Sequence, residues 1–127
     1  MKRNLVLKGR IPSKKNQRRR IMRGGRIFDV PSKDYEAWHE EKLWELKSQD
    51  TNKVENISRI EITFYAPDKR RADKTNKAES IMDLLVDVGV IEDDNWFVFP
   101  ELLLKFGGVD REFPRAEIII DYGETEK

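Results

Sequence analysis

The sequence predicts an α+β fold, a small mixed β-sheet with two helices packed on one face. Three observations predict it. From Ile57 to Ala66, Ile60, Ile62 and Phe64 alternate with Glu61, Thr63 and Tyr65, as in a strand with one buried face. From Thr75 to Val88, the apolar residues Ala78, Ile81, Leu84, Leu85 and Val88 recur at helical spacing. Helices are few along the chain, and they are mingled with antiparallel-looking strands.

Taken in order, Asn4 to Ile11 reads as a short strand that ends at Pro12. Lys14 to Arg26 is a basic loop with a turn at Gly24-Gly25, and Arg26-Ile27-Phe28 pairs back as a second short strand. Ser32 is placed to cap a helix running to about Ser48, with Asp34 in its first turn, where a negative charge suits the helix dipole. Tyr35, Trp38, Leu43 and Leu46 share its apolar face, and Trp44 points away from it. His39 lies on the flank, a structural or solvated position. After the 57–66 strand, Pro67 stops the chain and Gly89 is a suitable residue to follow the second helix. Trp96 to Phe106 reads as a strand, bent or at an edge because Pro100 has no N–H for the ladder. A turn at Gly107-Gly108 and a last strand from Arg115 to Tyr122 complete a single domain over 1–127.

Composition narrows the function. There is no cysteine and one histidine, so thiolate metal sites, disulfides and multi-histidine zinc sites are excluded. No apolar run approaches membrane-spanning length, and a soluble cytoplasmic protein is expected. The formal net charge of +1 hides an asymmetry: residues 1–28 hold eleven Lys and Arg and no acid, while the remainder holds fourteen basic and twenty-four acidic residues. Such a basic block points to a polyanion, with nucleic acid first. Lys14, Lys15, Arg18, Arg19, Arg20, Arg23 and Arg26 are the candidate phosphate contacts, joined by Lys69, Arg70, Arg71 and Lys74 before the second helix.

Acids bracket that helix. Asp73 precedes it, Glu79 and Asp83 lie on it, and Glu92-Asp93-Asp94 follow. Phosphodiester hydrolysis needs an activated water and a stabilised leaving oxyanion. Magnesium supplies both, bound by a few carboxylates, water and phosphate oxygens. Asp73, Glu79, Asp93 and Asp94 are the candidate ligands, with Lys74 or Lys77 steadying the phosphate. Spacing alone also fits ordinary loop and helix-face charges.

The segment Arg70-Arg71-Ala72-Asp73-Lys74-Thr75-Asn76, the helix, and Gly89-Val90-Ile91-Glu92-Asp93-Asp94 together resemble the RusA family of Holliday junction resolvases. The family pattern is Arg-Asp-x-Asp-Asn, a helix bearing a lysine, then Gly-x-x-x-Asp-Asp. Pro12-Ser13-x-x-Asn16 and its basic loop are also similar. The resemblance implies a homodimeric, Mg2+-dependent endonuclease (Mn2+ also suiting the site) that nicks four-way DNA junctions symmetrically. It puts the catalytic acids on Asp73 and Asp94 and the motif asparagine on Asn76. Two positions depart from the pattern: Thr75 stands at the second aspartate and Glu79 at the helix lysine. Glu79 lies one turn beyond Thr75 on the same face, so it is expected to return the lost carboxylate, with Lys77 or Lys74 supplying the displaced positive charge. The alternative is a non-catalytic binder of branched or single-stranded DNA with a decayed acidic site.

Overall fold

A computed structural model describes residues 1–13 and 18–123. The elements are β1 (Lys2–Lys8), β2 (Arg18–Arg23), β3 (Arg26–Pro31), α1 (Lys33–Lys47), β4 (Ile57–Ala66), α2 (Lys74–Asp87), β5 (Leu102–Val109) and β6 (Arg115–Tyr122). Four strands form a mixed sheet in the order β1-β6-β4-β5, antiparallel except for the parallel pair β4 and β5. A parallel pair needs a crossover, and α2 lies in it. The loops at the two ends of that crossover carry Asp73 and Asp94.

The sheet buries one face. Leu5 and Leu7 of β1 pair with Ile118 and Ala116 of β6, which pair in turn with Ile62 and Phe64 of β4. All six side chains are buried in one cluster with Ile60, Ile120, Leu46 of α1, and Ala78, Ile81, Met82, Leu84 and Leu85 of α2. Both helices therefore contribute to the core on this one face, and the α+β expectation holds. Each fully buried Leu or Ile contributes roughly 1.5–3 kcal/mol over leaving it in water. Met82 extends the α2 stripe beyond the predicted residues, and Val88 is only half-buried. Ser32 caps α1 as expected, its side chain accepting from Tyr35 N at 3.1 Å.

The two outer edges of the sheet differ. Gln49, just beyond α1, accepts from Val6 N and donates to Val6 O, both at 2.8 Å, and Glu45 accepts from Lys8 N at 2.8 Å. The β1 edge is thus occupied by side chains. Among the described residues no side chain hydrogen-bonds the backbone of β5.

Three expectations are corrected. The basic segment is a strand from Arg18 onward, paired with β3 as a separate two-stranded ribbon, rather than a loop. Gly24 and Gly25, at φ 57° and 77°, make its two-residue turn, a geometry that side chains with a Cβ resist. The strand expected from Trp96 begins only at Leu102, because Asn95 folds the chain before it. Its side-chain oxygen accepts from Phe97 N and Val98 N at 2.9 and 3.1 Å, and its carbonyl accepts from Val98 N and Phe99 N. The Gly107-Gly108 turn is part of β5. Phe64 pairs with Phe106 and Tyr65 with Gly108, so Gly107 is the extra residue of a bulge. Gly107 lies against Tyr65, whose Cε1 would stand 2.6 Å from any Cβ there.

Candidate active site

The start of α2 is built around Asp73. Its extended backbone (φ −88°, ψ 113°) makes it the N-cap, and Oδ1 accepts from Thr75 N at 2.9 Å and Thr75 Oγ1 at 2.5 Å. The threonine that departs from the family pattern therefore donates to the first aspartate. Ile11 and Pro12 cross the same helix: Lys77 Nζ donates to the Ile11 carbonyl and Ser80 Oγ to that of Pro12 at 2.7 Å.

Asp73, Lys74, Asn76 and Lys77 line a cavity of about 770 Å³ together with Arg10, Lys69, Arg70, Arg71 and Arg115. Seven cationic and two acidic side chains face it, with Phe64, Tyr65 and Phe106 as apolar wall. Asp68 is braced there, accepting from Arg70 N and Arg10 Nη2, both at 2.9 Å. The Arg70 amide and the Arg10 guanidinium hold its carboxyl below the usual range, against a smaller opposing effect of burial. Burial and the Arg10 charge push Lys77 below the ordinary lysine value, with Asp68 opposing. Arg115 lies 3.9 Å over the Tyr65 ring, its paired residue across β4 and β6. Positive charge and aromatic surface converge here, as a phosphodiester chain requires.

The remaining acids gather around Asp94. Partial burial raises its pKa, and the negative charges of Asp83, Asp93 and Glu79 raise it further. A divalent cation would relieve that crowding, and the donors are all hard oxygens of the kind magnesium and manganese take. Among the described residues no three acidic side chains are already grouped as a metal-ligand set. Asp93 is engaged within its own loop, accepting from Asp94 N at 2.8 Å and Asn95 Nδ2 at 3.0 Å.

The family model for endodeoxyribonuclease RusA matches residues 10–121. The chain belongs to the RusA family. It is also 29% identical over 87 residues to the crossover junction endodeoxyribonuclease RusA of Aquifex aeolicus (strain VF5), covering 68% of each chain. The RusA match spans both acidic loops, the ribbon and the cationic cavity.

The predicted site residues thus fall into three places. Asp73, Lys74, Asn76, Lys77, Lys69, Arg70 and Arg71 share the cavity. Glu79 and Asp93 act electrostatically on Asp94. Arg18, Arg19, Arg20, Arg23 and Arg26 lie on the ribbon, where Arg18 pairs with Asp29 at 3.6 Å and Arg19 with Glu36 at 3.6 Å. Lys14 and Lys15 lie outside the described residues. His39 lies on the flank of α1, 2.6 Å from Asp87. Arg10, Tyr65 and Arg115 were not anticipated in the site. Asp83 was visible as a helix acid, but its approach to Asp94 depends on the return path of the chain after α2. No described helix is long and apolar enough to cross a membrane.

Proposed function

We propose that this protein is a divalent-metal-dependent endodeoxyribonuclease that resolves four-way DNA junctions by paired nicks, acting as a homodimer. The observation that carries it is the match to the RusA family over residues 10–121, which spans the acids at both ends of α2 and a cavity lined by seven cationic side chains. Asp73, Asp94 and Glu79 would hold Mg2+, with Mn2+ a suitable substitute, and Asp93 steadies the loop while adding negative charge. Once bound, the ion supplies an activated water and charge stabilisation at the phosphate.

The chain's own residues do the rest. Lys74, Asn76, Lys69, Arg70 and Arg71 bind and orient the strand at the cavity. Lys77, held by the Ile11 carbonyl, fixes the chain across α2 and places a cation beside the scissile phosphate. The ribbon, with Arg18, Arg19, Arg20, Arg23 and Arg26, has the width of an element that enters a DNA groove. Lys14 and Lys15 belong to the same basic segment. A four-way junction offers two symmetry-related strands, which suits a two-fold dimer with one site for each. The unclipped β5 edge supports Leu102-Leu103-Leu104 as the joining surface over Trp38, which is half-buried, or Trp44.

The test is nicking of a four-way junction with and without Mg2+, beside linear duplex of the same sequence. Metal-dependent paired nicks confined to the junction are expected. Junction binding without cleavage in any divalent metal would instead establish the non-catalytic binder, a reading favoured by the Thr75 hydroxyl donating to Asp73.

A further inference from the structure

The most exposed large apolar side chains sit beside the acid loop. Trp96 is 77% and Phe97 89% exposed, and they follow Asp94 by two and three residues. Burying either would be favourable, so leaving both in water is a cost that a function must offset. They are also held in place. Their rings pack edge to face at 6.1 Å between centroids. The Asn95 side chain fixes the turn beneath them, and Phe99, two residues on, is buried in the core. The pair is therefore presented outward by an anchored turn.

We infer, on the nuclease reading above, that Trp96 and Phe97 form a platform for unstacked nucleobases at the branch point, beside the phosphate to be cut. Two physical arguments select this occupant. Three consecutive acids, Glu92, Asp93 and Asp94, precede the pair, and Glu92 and Asp93 share with Phe97 the lining of a second cavity of about 680 Å³. Away from a bound metal ion this local charge disfavours phosphate but not the neutral face of a base, which stacks on aromatic rings whatever its sequence. Two residues of chain span at most about 7 Å, so the backbone that carries Trp96 is tied close to Asp94. A protein partner there would obstruct the phosphate, whereas a base connected to that phosphate arrives with it. Bases inside an intact duplex have their faces covered. At a branch point the stack is interrupted and opens at lower cost, so the platform favours branched over linear DNA.

The test uses the full-length protein and a four-way junction carrying 2-aminopurine at the branch point, in Ca2+ so that binding is read without cleavage. Wild type is expected to change the probe fluorescence on binding the junction. Trp96→Ala/Phe97→Ala is expected to abolish that change and weaken junction binding about 5- to 150-fold, the range for losing a stacked base. Binding to linear duplex should change less than about twofold, and Trp96→Phe should retain most of the signal. An unchanged probe signal and unchanged junction preference in the double variant would overturn the platform while leaving the nuclease reading intact. So would a double variant that turns monomeric, because a second copy would then be the occupant. Failure of wild type to prefer the junction over duplex would remove the junction reading and the platform together.

Discussion

Asp73 holds two roles that one pair of substitutions separates. Its Oδ1 caps α2 through Thr75 N and Thr75 Oγ1, and its charge sits at the positive end of the helix dipole. Replacing a capping aspartate by alanine costs about 0.5–2 kcal/mol. The lost charge at the helix start costs a further ~0.3–1 kcal/mol. Asp73→Ala should therefore lose about 0.8–3 kcal/mol of stability. Asp73→Asn keeps a capping oxygen and loses only the charge, about 0.3–1 kcal/mol. A protein of this size shifts in Tm by roughly 3–5 °C per kcal/mol, so thermal melts resolve the two variants. Junction cleavage should be lost in both, because neither leaves a carboxylate to hold the metal, while junction binding survives in Asp73→Asn. Wild-type cleavage by Asp73→Asn would refute the ligand assignment. Equal stability of the two variants would refute the capping role.

Three further outcomes are expected. Asp94 has a raised folded pKa, so the folded state holds its proton more tightly than the unfolded chain. Its destabilising effect is absent at pH well below the ordinary carboxylate value, grows as pH rises from there to the raised value, and is fully present above it. Asp94→Asn should thus raise the stability of the metal-free protein at pH 7, lose that advantage near pH 3, and fail to cleave; denaturant melts at the two pH values check it. Glu79→Gln should lower metal-dependent cleavage about 10- to 100-fold, with Thr75→Asp restoring part of it; wild-type rates in Glu79→Gln would mean that the site works without this carboxylate. Replacing Arg18, Arg19 and Arg20 together by Ala should reduce the salt slope of DNA binding by about 1–3, the lower figure if the pairings with Asp29 and Glu36 persist on DNA. An unchanged slope would place the ribbon away from DNA.

What was legible in the sequence was local. The alternation of Ile60, Ile62 and Phe64 and the spacing of Ile81, Leu84 and Leu85 report burial directly, because each period belongs to one kind of backbone. Ser32 could be placed as a cap from its neighbours alone. The misread stretches depend on distant or side-chain-specific contacts. Trp96 and Phe97 read as strand residues because apolar character marks a core residue and an outward platform alike. The bulge at Gly107 is set by Tyr65, far away in sequence. In the site, the motif around Asp73 and Asn76 and the acids after Gly89 were visible through the family resemblance. Nothing local tells that Arg115 covers Tyr65, or that the loop after α2 returns Asp94 toward Asp83.

Gln49 and Glu45, clipped onto β1, have a consequence for assembly. A sheet with one clipped margin is extended more readily from the other side. Two copies meeting β5 to β5 about a two-fold axis would form one continuous sheet of eight strands. Both outer margins of that sheet would be β1 strands clipped at Val6 and Lys8, poor acceptors for a third copy. Further strand addition would then be disfavoured, because Val6 and Lys8 at each outer margin already hold side-chain partners.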